Sequence, residues 1–365
     1  MVANLAAHPT TDNAILLGSW YATRNRYGCA VDTFQAALKR DPSSAQLHFL
    51  TGLALVGDGH EPEAIVQLQE ATRLSPRVLK PHEALAQLLD RAGKSAEAEE
   101  QWKQVLAIDP TSSEALESLS TDLLDSKDYA GVVRLLEPAP RTEHLAINLS
   151  RAYALLNYNE PASQALVDAL ALAPKSLPLA QELSAIYASH FRYEDAIKIL
   201  RKALAYHPGD TDVELQLYRI LIVSNHFEDA RPLGPRLLAL RPHDPQVLLL
   251  NGIVERVDKD YLHAQAHLEE ALALQPDDFN THYNLGILLV FQHEWQRAID
   301  ELQKSVALGQ TFPQVHFQLS RALRGLGDNE GAKREIDMYQ RMKQAEEANL
   351  EAVDASRQGD QAITA

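Results

Sequence analysis

An all-α solenoid of antiparallel helix pairs is the fold class this sequence predicts, and three phased residue series predict it. Nine alanines hold one register, at Ala30, Ala64, Ala98, Ala162, Ala196, Ala230, Ala264, Ala298 and Ala332; neighbours stand 34 residues apart except between Ala98 and Ala162. Proline follows seven of them by twelve residues, at Pro42, Pro76, Pro110, Pro174, Pro208, Pro242 and Pro276. A small residue precedes nearly every alanine by the same distance: Gly18, Gly52, Ala86, Ser150, Ser184, Gly252, Gly286 and Ser320, with Tyr218 the exception. A register held this long describes a stack of near-identical units. The 365 residues therefore form one quasi-linear array in which each unit contacts its neighbours.

Within a unit, a large apolar residue stands three places after the small one, as at Tyr21, Leu55, Leu89, Tyr153, Tyr187, Leu221, Leu289 and Leu323. Another stands four places after the alanine, as at Phe34, Leu68, Trp102, Leu166, Leu200, Leu268, Leu302 and Ile336. Apolar residues three and four apart make one helical stripe. Each unit carries two stripes, separated by stretches such as Gly57-Asp58-Gly59. The pattern predicts two helices joined by a tight turn. Proline ends the second helix because it has no amide proton to donate, and small residues let the paired helices cross closely.

The array divides into a lead-in at 1–10, four units over 11–140, six over 141–342, and a charged terminal helix with a frayed tail over 343–365. Two places break the pattern. Unit 111–140 is short, with Val132 at the alanine position and Pro138 and Pro140 ending its second helix near Glu137. It is read either as a bend between units 4 and 5 or as a rigid repacked turn. In unit 7, Pro232 and Pro235 require the second helix to start late or kink. The run 337–355 is expected to stay helical as a polar-faced cap, and Ser356 to Ala365 to fray.

Composition excludes several function classes. Apolar residues make up 45%, enough for a continuous core. The net charge of −16 disfavours nucleic acid, which needs a concentrated basic face. A lone cysteine, Cys29, rules out an internal disulfide framework or a zinc-ribbon cluster, and beside Ala30 it reads as a small buried residue. No apolar run reaches membrane-spanning length. Met1 to Leu17 lacks the pattern of a signal peptide. A cytoplasmic location is the default expectation, with a periplasmic or secreted one open if an upstream segment is removed.

Chemistry is mostly missing. Of fourteen histidines, His48, His82, His282 and His316 share one repeat phase on separate units, too far apart to converge on one ion. They are expected to pack. His263 and His267, at i and i+4, have no third ligand and read as an incidental pair. The glycine-rich stretch 325–331 follows no strand and so fails as a phosphate loop. No catalytic constellation, metal site or cofactor site is expected, and the chain is expected not to be an enzyme.

The series Leu17-Gly18, Tyr21, Ala30, Phe34, Ala37, Pro42 resembles the tetratricopeptide repeat, and the resemblance covers about residues 11–342 as ten units. It implies a right-handed superhelix whose concave face is lined by the second, fifth, ninth, twelfth and thirteenth positions of each first helix. In units 3 and 4 those positions are polar and net acidic: Lys80, Glu83, Gln87, Asp90, Arg91, Glu114, Glu117, Thr121 and Asp125. In units 5–10 they carry Arg151, Arg219, Arg256, Arg321 and Arg324 against the single acid Asp212, with Tyr283, Phe291, Phe317, Leu249 and Ile253 among them. Sixth positions add Asn148, Asn284 and Gln318. The candidate binding set is Arg151, Arg219, Arg256, Tyr283, Asn284, Phe291, Phe317, Gln318, Arg321 and Arg324, facing an acidic peptide or protein segment. The opposing reading pairs these arginines with neighbouring acids such as Glu182 and Glu255. The Lys and Asn positions with which some members clamp peptide carboxylates are not matched, nor is a continuous asparagine ladder. The leading expectation is a non-enzymatic protein-interaction scaffold. The alternative is the substrate-recruiting repeat region of a larger enzyme or envelope-assembly complex, and self-association through the N-terminal face is a third idea.

Overall fold

The computed structural model describes residues 10–309 and 312–363, with side chains described through 348. The expected lead-in lies outside the described residues except for Thr10. Every regular element among the described residues is a helix, as the three phased series predict. Two compact units, Met1–Glu182 and Leu183–Ala365, divide the chain inside the helix Leu177–Ser189, and each is taken by itself.

The first unit stacks five hairpins: Thr11–Ala22 with Tyr27–Leu38, Ala45–Gly57 with Glu61–Leu74, Leu79–Arg91 with Ser95–Ile108, Ser113–Asp125 with Tyr129–Leu136, and Glu143–Leu155 with Asn159–Leu172. The register alanines Ala30, Ala64, Ala98 and Ala162 are fully buried. The fourth hairpin is the short one. Its second helix stops at Leu136, and Arg141 caps it by donating to the carbonyls of Leu136, Ala139 and Glu137. The core is continuous there: Leu116, Val132, Leu136, Leu145 and Leu149 form one buried cluster across hairpins four and five.

In the second unit, Tyr193–Tyr206 completes repeat 6, Thr211–Val223 begins repeat 7, and Pro245–Val257 pairs with Tyr261–Leu274 as repeat 8. Phe279–Phe291 with Trp295–Ala307 forms repeat 9, and Pro313–Leu326 with Asn329–Ile363 forms repeat 10. The second helix of repeat 7 is broken. It starts on schedule as Phe227–Ala230, loses regularity at Arg231 and Pro232, and resumes as Leu233–Leu240. The terminal helix runs to Ile363.

All ten hairpins turn in the same way. The residue five places before each register position has a left-handed backbone: Asn25, Gly59, Gly93, Lys127, Asn157, Phe191, Asn225, Lys259, His293 and Gly327. The next amide donates back to the residue three places after the small one, as Arg192 to the Tyr187 carbonyl at 2.8 Å and Asp260 to that of Glu255 at 2.8 Å. This six-to-one bond is the Schellman stop, which glycine and asparagine fit best. Phe191 fits worst, with φ of 59° and 79% exposure. A bulky L-residue pays for left-handed backbone, so Phe191→Gly is expected to raise stability by about 0.5–1 kcal/mol. Urea unfolding checks it, and a lowered midpoint would show that the ring makes a contact worth more than the backbone relief.

Helix crossings follow a small-to-large rule. A Cβ placed on Gly18, Gly52, Gly252 or Gly286 would meet Phe34, Leu68, Leu268 or Leu302 at 2.7 Å or less. Repeat 7 reverses the rule. Its large residue is Tyr218, fully buried, and opposite it Gly234 stands where other repeats place a large apolar residue. A Cβ on Gly234 would lie 2.8 Å from the Tyr218 hydroxyl. The one exception in the small-residue series is thus half of a compensated pair.

Candidate functional site

The four phased histidines are structural, and they share one geometry. Nδ1 of His48, His82, His282 and His316 meets a side chain nineteen residues on: Gln67 and Gln101 at 2.8 Å, Glu301 and Glu335 at 2.6 Å. In three of them Nε2 meets the carbonyl of the proline six residues back, at 3.0, 3.2 and 2.8 Å for Pro42, Pro76 and Pro276. Each ring ties a first helix to its own second helix, and three of them also reach the preceding loop. His263 and His267 turn to different acids, Asp260 at 2.8 Å and Glu255 at 2.9 Å, and Asp260 holds the His263 imidazole above its usual range. Cys29 is half-buried rather than buried.

In the first unit, the acidic first-helix positions of repeats 3 and 4 line an open cavity of about 420 Å³ with Gln87, Asp90, Trp102, Glu114, Glu117, Ser118, Thr121 and Asp122. Internal bonds tie several of these groups: the Trp102 indole donates to Asp90 at 2.7 Å and the Gln87 amide to Glu114 at 2.8 Å. Burial, then the charges of Asp90, Glu99 and Asp125, push the Asp122 carboxyl above the usual range.

Arg151 also lies in this unit, and Glu182 pairs with it directly. Here the opposing sequence reading describes the geometry, and Arg151 leaves the set of uncommitted cations. Asn148 is likewise engaged, donating to Ser120 at 2.9 Å.

The second unit brings most of the remaining candidates into repeats 7–10. Arg219, Leu249, Ile253 and Asn284 line one cavity of about 340 Å³, together with Val223, Pro245, Gln246, Leu250, Gln275, Asp278 and Asn280. That volume sits at the small end of ligand-pocket sizes. Its lining joins aliphatic side chains to amides, a guanidinium and the Asp278 carboxylate. Gln246 and Asn280 occupy second positions, one of the five groove phases, and were missed because only charged and aromatic residues were singled out there.

Adjacent to it runs an aromatic and arginine strip. Tyr261 stacks on Phe291 at 6.3 Å, and the Arg321 guanidinium lies over Phe291 at 5.3 Å from the ring centroid. Tyr283 meets Phe312 edge-on at 4.6 Å, and Phe317 contacts Tyr339 at 5.6 Å. Phe291 and Phe317 remain 42% and 40% exposed, so the strip still offers apolar surface. Arg324 is exposed, in the last turn of its helix.

Electrostatic pairing separates the candidates. Arg219 donates to the side-chain carbonyl of Gln246, and Arg321 to that of Gln318 at 3.0 Å. Both partners are neutral amides. Asp212, the single acid at the five groove phases of this half, is taken by Arg241, and Asp278 caps its own helix by accepting from the Thr281 amide at 2.9 Å. Glu255, expected to hold an arginine, instead holds His267. Asn284 is buried and donates to the Asn280 carbonyl at 2.9 Å.

Among the described residues, no group of three His, Cys, Asp or Glu side chains is placed to hold a metal ion, and no helix is long and apolar enough to cross a membrane. Stacked helical hairpins with small-to-large crossings and amide-lined first helices define a helical repeat protein built for interaction. Family models for the tetratricopeptide repeat match residues 16–77 and 187–251, so the chain carries tetratricopeptide repeats. A search of curated proteins finds no match. Among solved structures, the chain is similar to the hetero-tetramer Cut9–Hcn1 of APC/C, at 16% identity and a TM-score of 0.49, over 90% of this chain and 75% of that one. It is also similar to a tetratricopeptide repeat protein from Parabacteroides merdae, at 15% identity and 0.43 over 76% and 98% of the two chains. A third likeness is to the human IFIT1 dimer with PPP-AAAA, at 18% identity and 0.49 over 82% and 69%. The tetratricopeptide repeat is in general a scaffold for protein interaction.

Proposed function

We propose that the first-helix face of repeats 7–10 binds a protein segment bearing acidic side chains, and that the chain acts as a non-enzymatic recruiting scaffold. One observation carries this reading: Arg219 and Arg321 are held in place by Gln246 and Gln318, which orient a guanidinium without neutralising it. A positioned arginine keeps its capacity for bidentate capture of a carboxylate. Beside it, Phe291 and Phe317 supply the exposed aromatic surface that binding hot spots favour, and the cavity amides suit a peptide backbone. Selectivity comes from charge and affinity from apolar contact.

Arg321→Glu combined with Arg324→Glu is expected to weaken capture of an acidic segment at least tenfold while the helical circular dichroism and melting temperature stay near wild type. Arg324 is exposed and Arg321 is half-buried with a hydrogen bond, among the described residues, only to Gln318 of its own helix, so the fold is expected to tolerate both changes. Unchanged affinity in the double variant would overturn the placement.

A further inference from the structure

Arg256 differs from every other arginine of this face. It sits on Pro245–Val257 one turn beyond Ile253, a residue of the 340 Å³ cavity. Its Nε is buried and has no partner, and no carboxylate meets its guanidinium among the described residues. The acids nearest to it in sequence are all committed elsewhere. Glu255 holds His267 at 2.9 Å, Asp258 holds Arg231 at 2.8 Å, and Asp260 holds His263 at 2.8 Å. Burial pulls the guanidinium below its usual range, and the hydroxyl-bearing rings of Tyr283 and Tyr261 are the groups that offset it.

A cation taken out of water without a counter-ion costs stability, and a buried N–H without an acceptor costs more. Folded proteins keep few such groups, and those they keep invite an explanation. Here the cost disappears when something else supplies the acceptor. We propose that Arg256 is the anchor for a carboxylate of the bound segment, with a neighbouring apolar side chain of that segment seated over Leu249, Leu250 and Ile253. This rests on the binding reading above and names its selective element. The segment's signature is an acid beside an aliphatic residue, the acid completing a site that the free chain leaves open.

A fluorescence-anisotropy titration of the full chain tests it, using capped ten-residue peptides of alternating Leu and Asp, Leu and Asn, or Leu and phosphoserine. Wild type is expected to bind the Asp peptide at least tenfold more tightly than the Asn peptide. Arg256→Met is expected to erase that preference and to melt at or above the wild-type temperature, because an apolar chain replaces an unpaired cation. Arg256→Gln, which keeps a polar tip, serves as a second variant and is expected to lose the preference as well. Equal wild-type binding of Asp and Asn peptides overturns the proposal, as does an Asp preference retained in both variants. A tenfold preference for phosphoserine over Asp overturns the carboxylate assignment. A clear fall in the melting temperature of Arg256→Met overturns the claim that the free guanidinium is a liability. If Arg256→Met keeps the Asp preference while the Arg321/Arg324 double variant loses it, the groove stands and the anchor falls; if neither loses it, both fall.

Discussion

Tyr218→Gly is expected to destabilise the second unit by about 3–5 kcal/mol, the range for deleting a large buried aromatic side chain. The ring is fully buried at a helix crossing, and the space it fills exists because Gly234 has no side chain. Gly234→Leu alone is expected to cost about 1–3 kcal/mol or more, since its Cβ would already lie 2.8 Å from the tyrosine oxygen and 2.4 Å from Asn251 Oδ1. Combined, the two substitutions restore the arrangement of the other repeats, small on the first helix and leucine on the second. The double variant is expected to recover a coupling of about 1–3 kcal/mol relative to additivity. Asn251, which donates to the Val247 carbonyl at 2.9 Å, is the neighbour that must give way. Urea midpoints of the four proteins make the cycle, and strictly additive losses would show that Tyr218 and Gly234 are not a matched pair.

Arg236→Met is expected to cost about 2–3 kcal/mol, below the full range for breaking a buried pair because the arginine tip is half in water. Glu214 occupies the phase that His48, His82, His282 and His316 occupy elsewhere. In those repeats the partner stands nineteen residues on, but in repeat 7 that position is Leu233, at the restart of the broken helix. Arg236 reaches Glu214 instead, at 3.0 Å, and the carboxylate is 5% exposed with Oε2 unpartnered. Removing the arginine strands a buried charge. Glu214→Leu, the residue that repeats 4 and 8 carry at this phase as Leu116 and Leu248, is expected to be neutral or stabilising and to make Arg236→Met harmless. An equal penalty for Arg236→Met in the Glu214→Leu background would contradict the pairing.

The two variants concern the repeat that the sequence marks as odd, and they show where sequence reading stops. Period, helix count per unit and the crossing alanines were legible because each repeats in phase. The Tyr218 exception was visible, but its partner was not: the missing large residue at Gly234 only becomes meaningful once the two helices face each other. The left-handed turn was legible at Asn25, Gly59 or Gly93 and hidden at Phe191, Lys259 and His293, where packing of the flanking helices overrides backbone preference. At the site, phase located the arginines but not their partners. Arg151 finds Glu182, and Asp212 finds Arg241, each a neighbour in the stack that lies some thirty residues away along the chain. Glu255 sits beside Arg256 in sequence yet faces His267, because adjacent residues on a helix point in different directions. What separates a neutralised arginine from an available one is this reach between helices, which a repeat register does not encode.

The central claim is that the first-helix face of repeats 7–10 selects by positive charge, and exchanging that charge tests it most directly. Anisotropy titrations would set the wild type and the Arg321→Glu, Arg324→Glu variant against a Leu–Asp peptide and its Leu–Lys counterpart at low and moderate salt. The account predicts that the wild type prefers the acidic peptide, that the variant prefers the basic one, and that both preferences shrink as salt rises. The same preference in both proteins would contradict it.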